Sequence, residues 1–217
     1  MCTAASAGGV MRENGLLANL SNLFLKLDIQ LPEETKKEVF QVYDEGFFVS
    51  HRDNGEWFSS TIHGGDWWQT NTPEHYGLLD KSNYHWTEVS EIAKETTRWL
   101  KEEFPAESYQ RVRFMLLKPG GKIKAHHDAG NEERYEFAKN NLAYGAFNAA
   151  ITQPKNCFLR DANTKEEVPF TERSVFVFNC WREHEAENNS DELRFHMIIH
   201  PSKWNEAKYN ALINRSL

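Results

Sequence analysis

Two short stretches of the chain each pair a histidine with an aspartate two residues on: His51 and Asp53 in VSHRDNGEW, and His126 and Asp128 in KPGGKIKAHHDAG. On a strand, residues i and i+2 point the same way, so either pair can present an imidazole and a carboxylate to one cavity. The spacing alone does not choose between them; the residues downstream of each pair are more informative. Asp53 falls in a turn, Asp53-Asn54-Gly55-Glu56, and the next histidines, His63, His75 and His85, repeat no comparable setting. The first pair is therefore expected to be structural or to sit on a pocket rim. After the second pair comes WREHEAENNSDELRFHMIIHP, with His184, Arg194 ten residues later, and His196. A strand ending near His184, a turn over residues 188–191 and a return strand from 193 would set Arg194 near His184, at the same depth in a cavity.

These residue types suit one chemistry. Two histidines and one carboxylate on one face of a metal leave the other positions open, as a non-haem Fe(II) oxygenase requires. Arginine presents a planar fork that holds a carboxylate bidentately. His126, Asp128, His184 and Arg194 are thus the parts needed for iron, 2-oxoglutarate and oxygen. His196 shares a strand face with Arg194; it either supports the bound molecules or is a hydrogen-bonded core histidine. His127 alternates to the opposite face and is expected to be structural, as is His200 before Pro201.

The elements that must position these groups can be read from the hydrophobic pattern. LFLKLDIQL alternates as a half-buried strand stopped by Pro32, and PEETKKEVFQVYDEG reads as a short helix closed by Gly46. FFVSHR and WFSSTIH flank Asn54-Gly55, a hairpin signal. Residues 64–85 read as a long loop, with Trp67 and Trp68 either packed or part of a lid. WTEVSEIAKETTRWLKEEF places Val89, Ile92, Ala93, Thr96, Trp99 and Leu100 on one face of a single helix ended by Pro105. Short strands are expected at 111–117, 122–127, 143–152, 156–160, 167–170, 174–179 and 193–200, and a last helix at 204–215. The fold class is α+β with a mainly β core, a sandwich or short barrel with flanking helices. Residues 1–15 form a flexible small-residue tail, and 16–217 a single domain with its core at 111–200.

The totals bound the rest. The chain has 217 residues and a formal charge of −7, from 25 basic and 32 acidic residues. A net acidic chain with no basic run argues against nonspecific nucleic-acid binding. Cys2, Cys157 and Cys180 are odd in number and lack CxxC spacing, which favours a reduced, cytoplasmic setting. Cys157 and Cys180 are expected to be buried small hydrophobes. No stretch reaches the length of a membrane span, and the N-terminus lacks a secretory pattern.

PGGKIKAHHD, followed by HEAENNSDELRFH, resembles the aspartyl/asparaginyl β-hydroxylase family of 2-oxoglutarate/Fe(II) oxygenases, most strongly over residues 111–200 and back to HRDNGEW. The resemblance implies a double-stranded β-helix of the jelly-roll or cupin type. It implies Fe(II) held by His126, Asp128 and His184, and 2-oxoglutarate held by Arg194 with support from His196. The reaction implied is hydroxylation of an unactivated C–H of an amino acid, free or in a peptide, with O2 consumed and succinate and CO2 released. His51, Arg113, Tyr144, Asn148 and Trp181 are candidates for the substrate pocket. LAYGAFNAAI lacks the Arg-x-His pair of some animal members, which leaves a second cosubstrate contact unassigned. Two alternatives stand beside this one: a cupin-like metal or ligand binder without turnover, and a zinc hydrolase using Glu183 or Glu185 as its base.

Overall fold

A computed structural model of the chain describes residues 24–50, 56–64, 84–127, 146–178 and 182–216. Asp128, His51, Asp53, Tyr144, Trp181, Trp67, Trp68, Cys2, Cys180 and the N-terminal tail lie outside the described residues.

The alternating stretch at the start is β1 (Phe24–Gln30), and the helix after Pro32 is α1 (Glu34–Asp44). Gly46 ends that helix with φ +81°, a left-handed conformation that suits glycine. The hairpin pairs β2 (Val49–Ser50) with β3 (Trp57–Gly64), and β4 (His85–Trp86) adds to β3. The expected single amphipathic helix is instead two: α2 (Val89–Ile92) and α3 (Lys94–Glu102), broken at Ala93. The break has a tertiary cause. Glu38 of α1 accepts hydrogen bonds from the backbone N–H of Glu95 (2.7 Å) and Thr96 (3.0 Å) and from the Thr96 hydroxyl (2.7 Å). A carboxylate from another helix thus caps a new N-terminus in mid-pattern.

Seven strands come next: β5 (Ala106–Leu117), β6 (Lys122–His126), β7 (Ala146–Ala150), β8 (Cys157–Asp161), β9 (Ser174–Phe178), β10 (His184–Asn188) and β11 (Arg194–Trp204); α4 (Glu206–Ser216) ends the described chain. They alternate between two antiparallel sheets. β5, β7, β9 and β11 join the large sheet, ordered β1-β9-β7-β11-β5-β3-β2, while β6, β8 and β10 form the small one, ordered β6-β10-β8. A chain that winds back and forth between two facing sheets is a double-stranded β-helix, a jelly roll. Residues 167–170 contribute one bridge, Glu167 to Arg160, rather than a strand.

Alternation along the strands sorts two cores. Phe114, Leu116, Phe195, Met197 and Ile199 point outward from the large sheet and pack with Val39, Trp99 and Leu212 of the helices. Leu117, Ala150 and Phe176 point inward and meet Leu159 and Ala186 of the small sheet. The polar positions of interest fall on the inward face. The turn from β5 into β6, Lys118-Pro119-Gly120-Gly121, is tight: Gly120 has φ +75°. A Cβ on Gly121 would lie 2.8 Å from the Lys118 carbonyl oxygen.

Candidate active site

His126 ends β6 and His184 begins β10, and their Cα atoms are direct partners in the small sheet. Their rings lie 4.4 Å apart, centroid to centroid. Each donates its Nδ1 proton to the carbonyl two residues back, His126 to Lys124 (2.8 Å) and His184 to Arg182 (2.9 Å). A proton held on Nδ1 leaves the lone pair on Nε2, the tautomer a metal requires. Arg182 is itself fixed by Asp161, which is buried (1 %) and accepts from Arg182 Nε at 2.7 Å and from the backbone N–H of Asn163 and Thr164. Those hydrogen bonds and the Arg182 charge hold the Asp161 carboxyl below its usual range, although burial opposes them. Asp128, two residues beyond His126, lies outside the described residues.

The strand geometry around His184 differs from the expectation. β10 starts at His184 rather than ending there, and it pairs with β6 and β8, not with β11. β11 crosses into the large sheet, where Arg194 is the partner of Leu117. Arg194 therefore sits at the level of Asn188, whose side chain donates to the Leu117 carbonyl at 2.9 Å. The four residues from Asn188 back to His184 span about 13 Å of strand. The return strand places Arg194 below His184 by a strand length, because the chain changes sheets at the turn.

The inward face of the large sheet then reads in rows. Trp57, Leu117 and Arg194 share the deepest row; Ser59, Met115, His196 and Ala150 the next; Thr61, Arg113, Ile198, Asn148 and Phe176 the one above. Arg113 is fully buried (1 %). It lies four residues up β5 from Leu117, at the height of His126, which β6 carries back from the turn, and of its partner His184 on β10. Arg113 and Asn148, both expected in the pocket, thus flank the same residue, Ile198. One row beyond, Arg111 donates to His200 Nε2 at 2.8 Å.

Arg194 is 6 % exposed, and its Nε and Nη2 have no hydrogen-bond partner among the described residues. The ring of Phe170 lies 6.0 Å from its guanidinium carbon. Burial pulls its pKa down to about 10. His196, beside it, meets Asn148 Oδ1 at 2.7 Å and Gln153 Oε1 at 3.1 Å. Burial, reinforced by the charge of Arg194, pushes His196 well below the ordinary histidine range, so it is neutral. A neutral ring has one N–H. Gln153 commits its amide nitrogen to the Cys157 carbonyl at 2.7 Å, so it faces His196 with oxygen and accepts from Nε2. Asn148 must then turn its NH2 toward Nδ1.

The donor set fits iron and a dicarboxylate. Two imidazoles whose Nδ1 protons go to backbone carbonyls carry their lone pairs on Nε2, the kind of nitrogen donor that a non-haem site uses. A buried guanidinium with orphaned N–H groups is poised for an anion brought from solution. The hydrolase alternative fares worse: Glu185 is bound by Lys165 (2.9 Å) and Arg160 (2.6 Å), which keep its carboxyl below the usual range. Alternation also turns Glu183 and Glu185 away from the face that carries His184. Asn188, Asp161, Arg182, Gln153 and Phe170 were not singled out by the sequence. Only Asn188 had a signal, since His184, Ala186 and Asn188 alternate onto one face.

The chain is also similar to known proteins. Among solved structures, it is similar to a 2OG-Fe(II) oxygenase family oxidoreductase from Burkholderia pseudomallei, with 12 % identity, TM-score 0.47 and 92 % of each chain covered. It is similar to a prolyl-4-hydroxylase from Pseudomonas putida, with 11 % identity, TM-score 0.46, and 83 % of this chain and 94 % of that one covered. It is similar also to a prolyl hydroxylase from Trichoplax adhaerens, with 14 % identity, TM-score 0.46, and 96 % and 97 % covered. No curated protein matches. The family model described as aspartyl/asparaginyl beta-hydroxylase matches residues 33–203, and the chain therefore belongs to that family of 2-oxoglutarate- and Fe(II)-dependent oxygenases.

Proposed function

We propose that the protein hydroxylates an unactivated C–H of an amino acid, free or within a peptide, consuming O2 and 2-oxoglutarate and releasing succinate and CO2. The observation that carries this reading is Arg194: a buried guanidinium with orphaned N–H groups, one strand length from a pair of histidines held in the metal-binding tautomer.

His126, Asp128 and His184 would hold Fe(II), which supplies activation of oxygen when bound. Arg194 would receive the far carboxylate of 2-oxoglutarate through its Nε and Nη2 protons, with the Phe170 ring beside it. His196, locked by Gln153 and Asn148, keeps a neutral edge beside Arg194, so the cationic charge there stays single. Arg113, buried in the row of Asn148 and Ile198, would bind the carboxylate of an amino-acid substrate.

The test is anaerobic. Fe(II) and 2-oxoglutarate added to the protein should give the weak visible band of a chelated 2-oxo acid. His126→Ala should abolish it, and Arg194→Ala should shift it to far higher cosubstrate concentration. Succinate release with a panel of free amino acids and peptides then identifies the substrate. Metal binding without any band would replace this reading with a binding protein or hydrolase.

A further inference from the structure

One side chain joins the small sheet to the large one at the end away from the histidines. Asn188 is fully buried (0 %). Its Nδ2 donates to the Leu117 carbonyl (2.9 Å) and to the Glu192 carbonyl (2.8 Å). Its Oδ1 accepts from Ser190 N (3.1 Å), Ser190 Oγ (2.6 Å) and the Cys157 thiol (2.8 Å). Its backbone N–H donates to Gly121 (3.0 Å), and its carbonyl accepts from Gly120 (2.8 Å). It thereby ties β10 to the end of β5, to β8, to the Gly120-Gly121 turn and to the turn that leads into Arg194.

That tie has a metric consequence. His184 lies four residues up β10 from Asn188, in regular register with β8, and Arg194 pairs with the residue whose carbonyl Asn188 holds. The side-chain amide of Asn188 is therefore one of the ties that carry the His184-to-Arg194 separation, and the one that reaches both Leu117 and the turn before Arg194.

We propose that Asn188 is a specificity-determining residue: it fixes the length of the 2-oxo dicarboxylate the site accepts by setting the distance from the histidine pair to Arg194. This rests on the assignment of Arg194 to the far carboxylate. A bounded pocket discriminates one methylene by about 10- to 200-fold, and it does so only while its two ends keep their spacing. If the sheets can slide at Asn188, chain-length discrimination is lost before affinity for the metal.

The experiment titrates the anaerobic Fe(II)-loaded protein with oxaloacetate, 2-oxoglutarate and 2-oxoadipate, which carry four, five and six carbons, and follows the visible band. The wild type should favour the five-carbon acid by more than about tenfold. Asn188→Asp keeps the acceptor bonds from Ser190 but removes both amide donors; it should reduce that preference about tenfold while Fe(II) affinity changes less than about twofold. Gly121→Ala disturbs the same junction without changing the Asn188 side chain, since its Cβ would lie 2.8 Å from the Lys118 oxygen and 2.9 Å from Leu117 Cδ1; it should reduce the preference likewise. Ser190→Ala leaves the Leu117 tether whole and should keep it. A folded Asn188→Asp with the wild-type preference overturns the proposal, as does an equal weakening for all three acids, which marks a merely structural role. If Asn188→Asp does not fold, Gly121→Ala and Ser190→Ala decide by the same criterion. A wild type that binds none of the three acids instead overturns the functional reading beneath it.

Discussion

At the scale of single residues, Arg194 is costly to bury. Its charge is buried without a described partner, and the drop of its pKa to about 10 from 12.5 corresponds to about 3 kcal/mol against the folded state at neutral pH, at about 1.4 kcal/mol per pH unit. A guanidinium keeps its charge below pH 10 in both states, so the cost is constant across the physiological range. Arg194→Met should therefore stabilise the ligand-free protein by about 1–4 kcal/mol, visible as a rise of several degrees in Tm. The same substitution should abolish cosubstrate binding, and truncation to Ala should weaken it by about 2–5 kcal/mol, a Kd increase of roughly 30-fold or more. A variant that is neither more stable nor weaker in binding would show that Arg194 already has a partner. His126, His184 and Arg194 could be singled out in the sequence because candidate metal ligands and a candidate carboxylate clamp are scarce residue types in a strict order, and the structure brings the two histidines together. Asp161 and Gln153 were not, because their roles come from neighbours across the sheet, which no spacing along the chain encodes.

At the scale of elements, Glu38 shows why a clean amphipathic pattern can still mislead. The spacing from Val89 to Leu100 fits one helix, and its apolar face is indeed buried. The pattern holds no trace of a carboxylate arriving from α1, and that carboxylate lets the chain restart its hydrogen bonding after Ala93. Glu38→Ala removes three charge-assisted bonds and leaves the N–H groups of Glu95 and Thr96 without that acceptor, while the Thr96 hydroxyl keeps Thr35 at 2.8 Å. It should cost about 2–3 kcal/mol, a fall in Tm of roughly 4–12 °C for a chain of this size, with Glu38→Gln intermediate. A loss within about 0.5 kcal/mol would mean that the backbone finds other acceptors. The order of the strands was illegible for a related reason: alternation says which face is buried but not which strand lies beside it. The shift of Arg194 into the other sheet is the clearest instance, since a short turn between two strands ordinarily signals a hairpin.

The molecule as a whole should be weakened by acid sooner than its carboxylates predict. His63 is 8 % exposed and packs against the rings of Trp86 and Tyr109. Burial, with smaller contributions from His85 and Lys101, lowers its pKa to about 4 from 6.5. The unfolded chain takes up this proton near pH 6.5 and the folded one only near pH 4, so stability falls as pH drops through that window. The loss from His63 is about 3 kcal/mol, and His196 adds to it in the same direction. Asp161 and Glu185, whose carboxyls are held below their usual range, contribute only at lower pH. Denaturant unfolding between pH 7.5 and 4 should show a decline beginning near 6.5, and His63→Gln should flatten part of it. A flat profile down to pH 5 would exclude both histidines as acid-sensitive groups.

The pairing of the first strand has a consequence for synthesis. β1 lies between β9 and the last helix: Leu25 pairs with Val177, Asp28 N donates to Ser216 Oγ at 2.9 Å, and Arg215 meets the Asp28 carboxylate at 3.3 Å. A nascent chain grows at about 5–20 residues per second. The segment FLKLDIQ therefore leaves the ribosome roughly 8–30 s before its partner strand exists. Through that interval it is an alternating apolar ribbon with both edges open, the kind of segment that pairs with other chains. Lys26 and Asp28 on its other face are the charges that guard it. Folding of this barrel cannot proceed from the N-terminus onward; its first strand is among the last pieces to find a place.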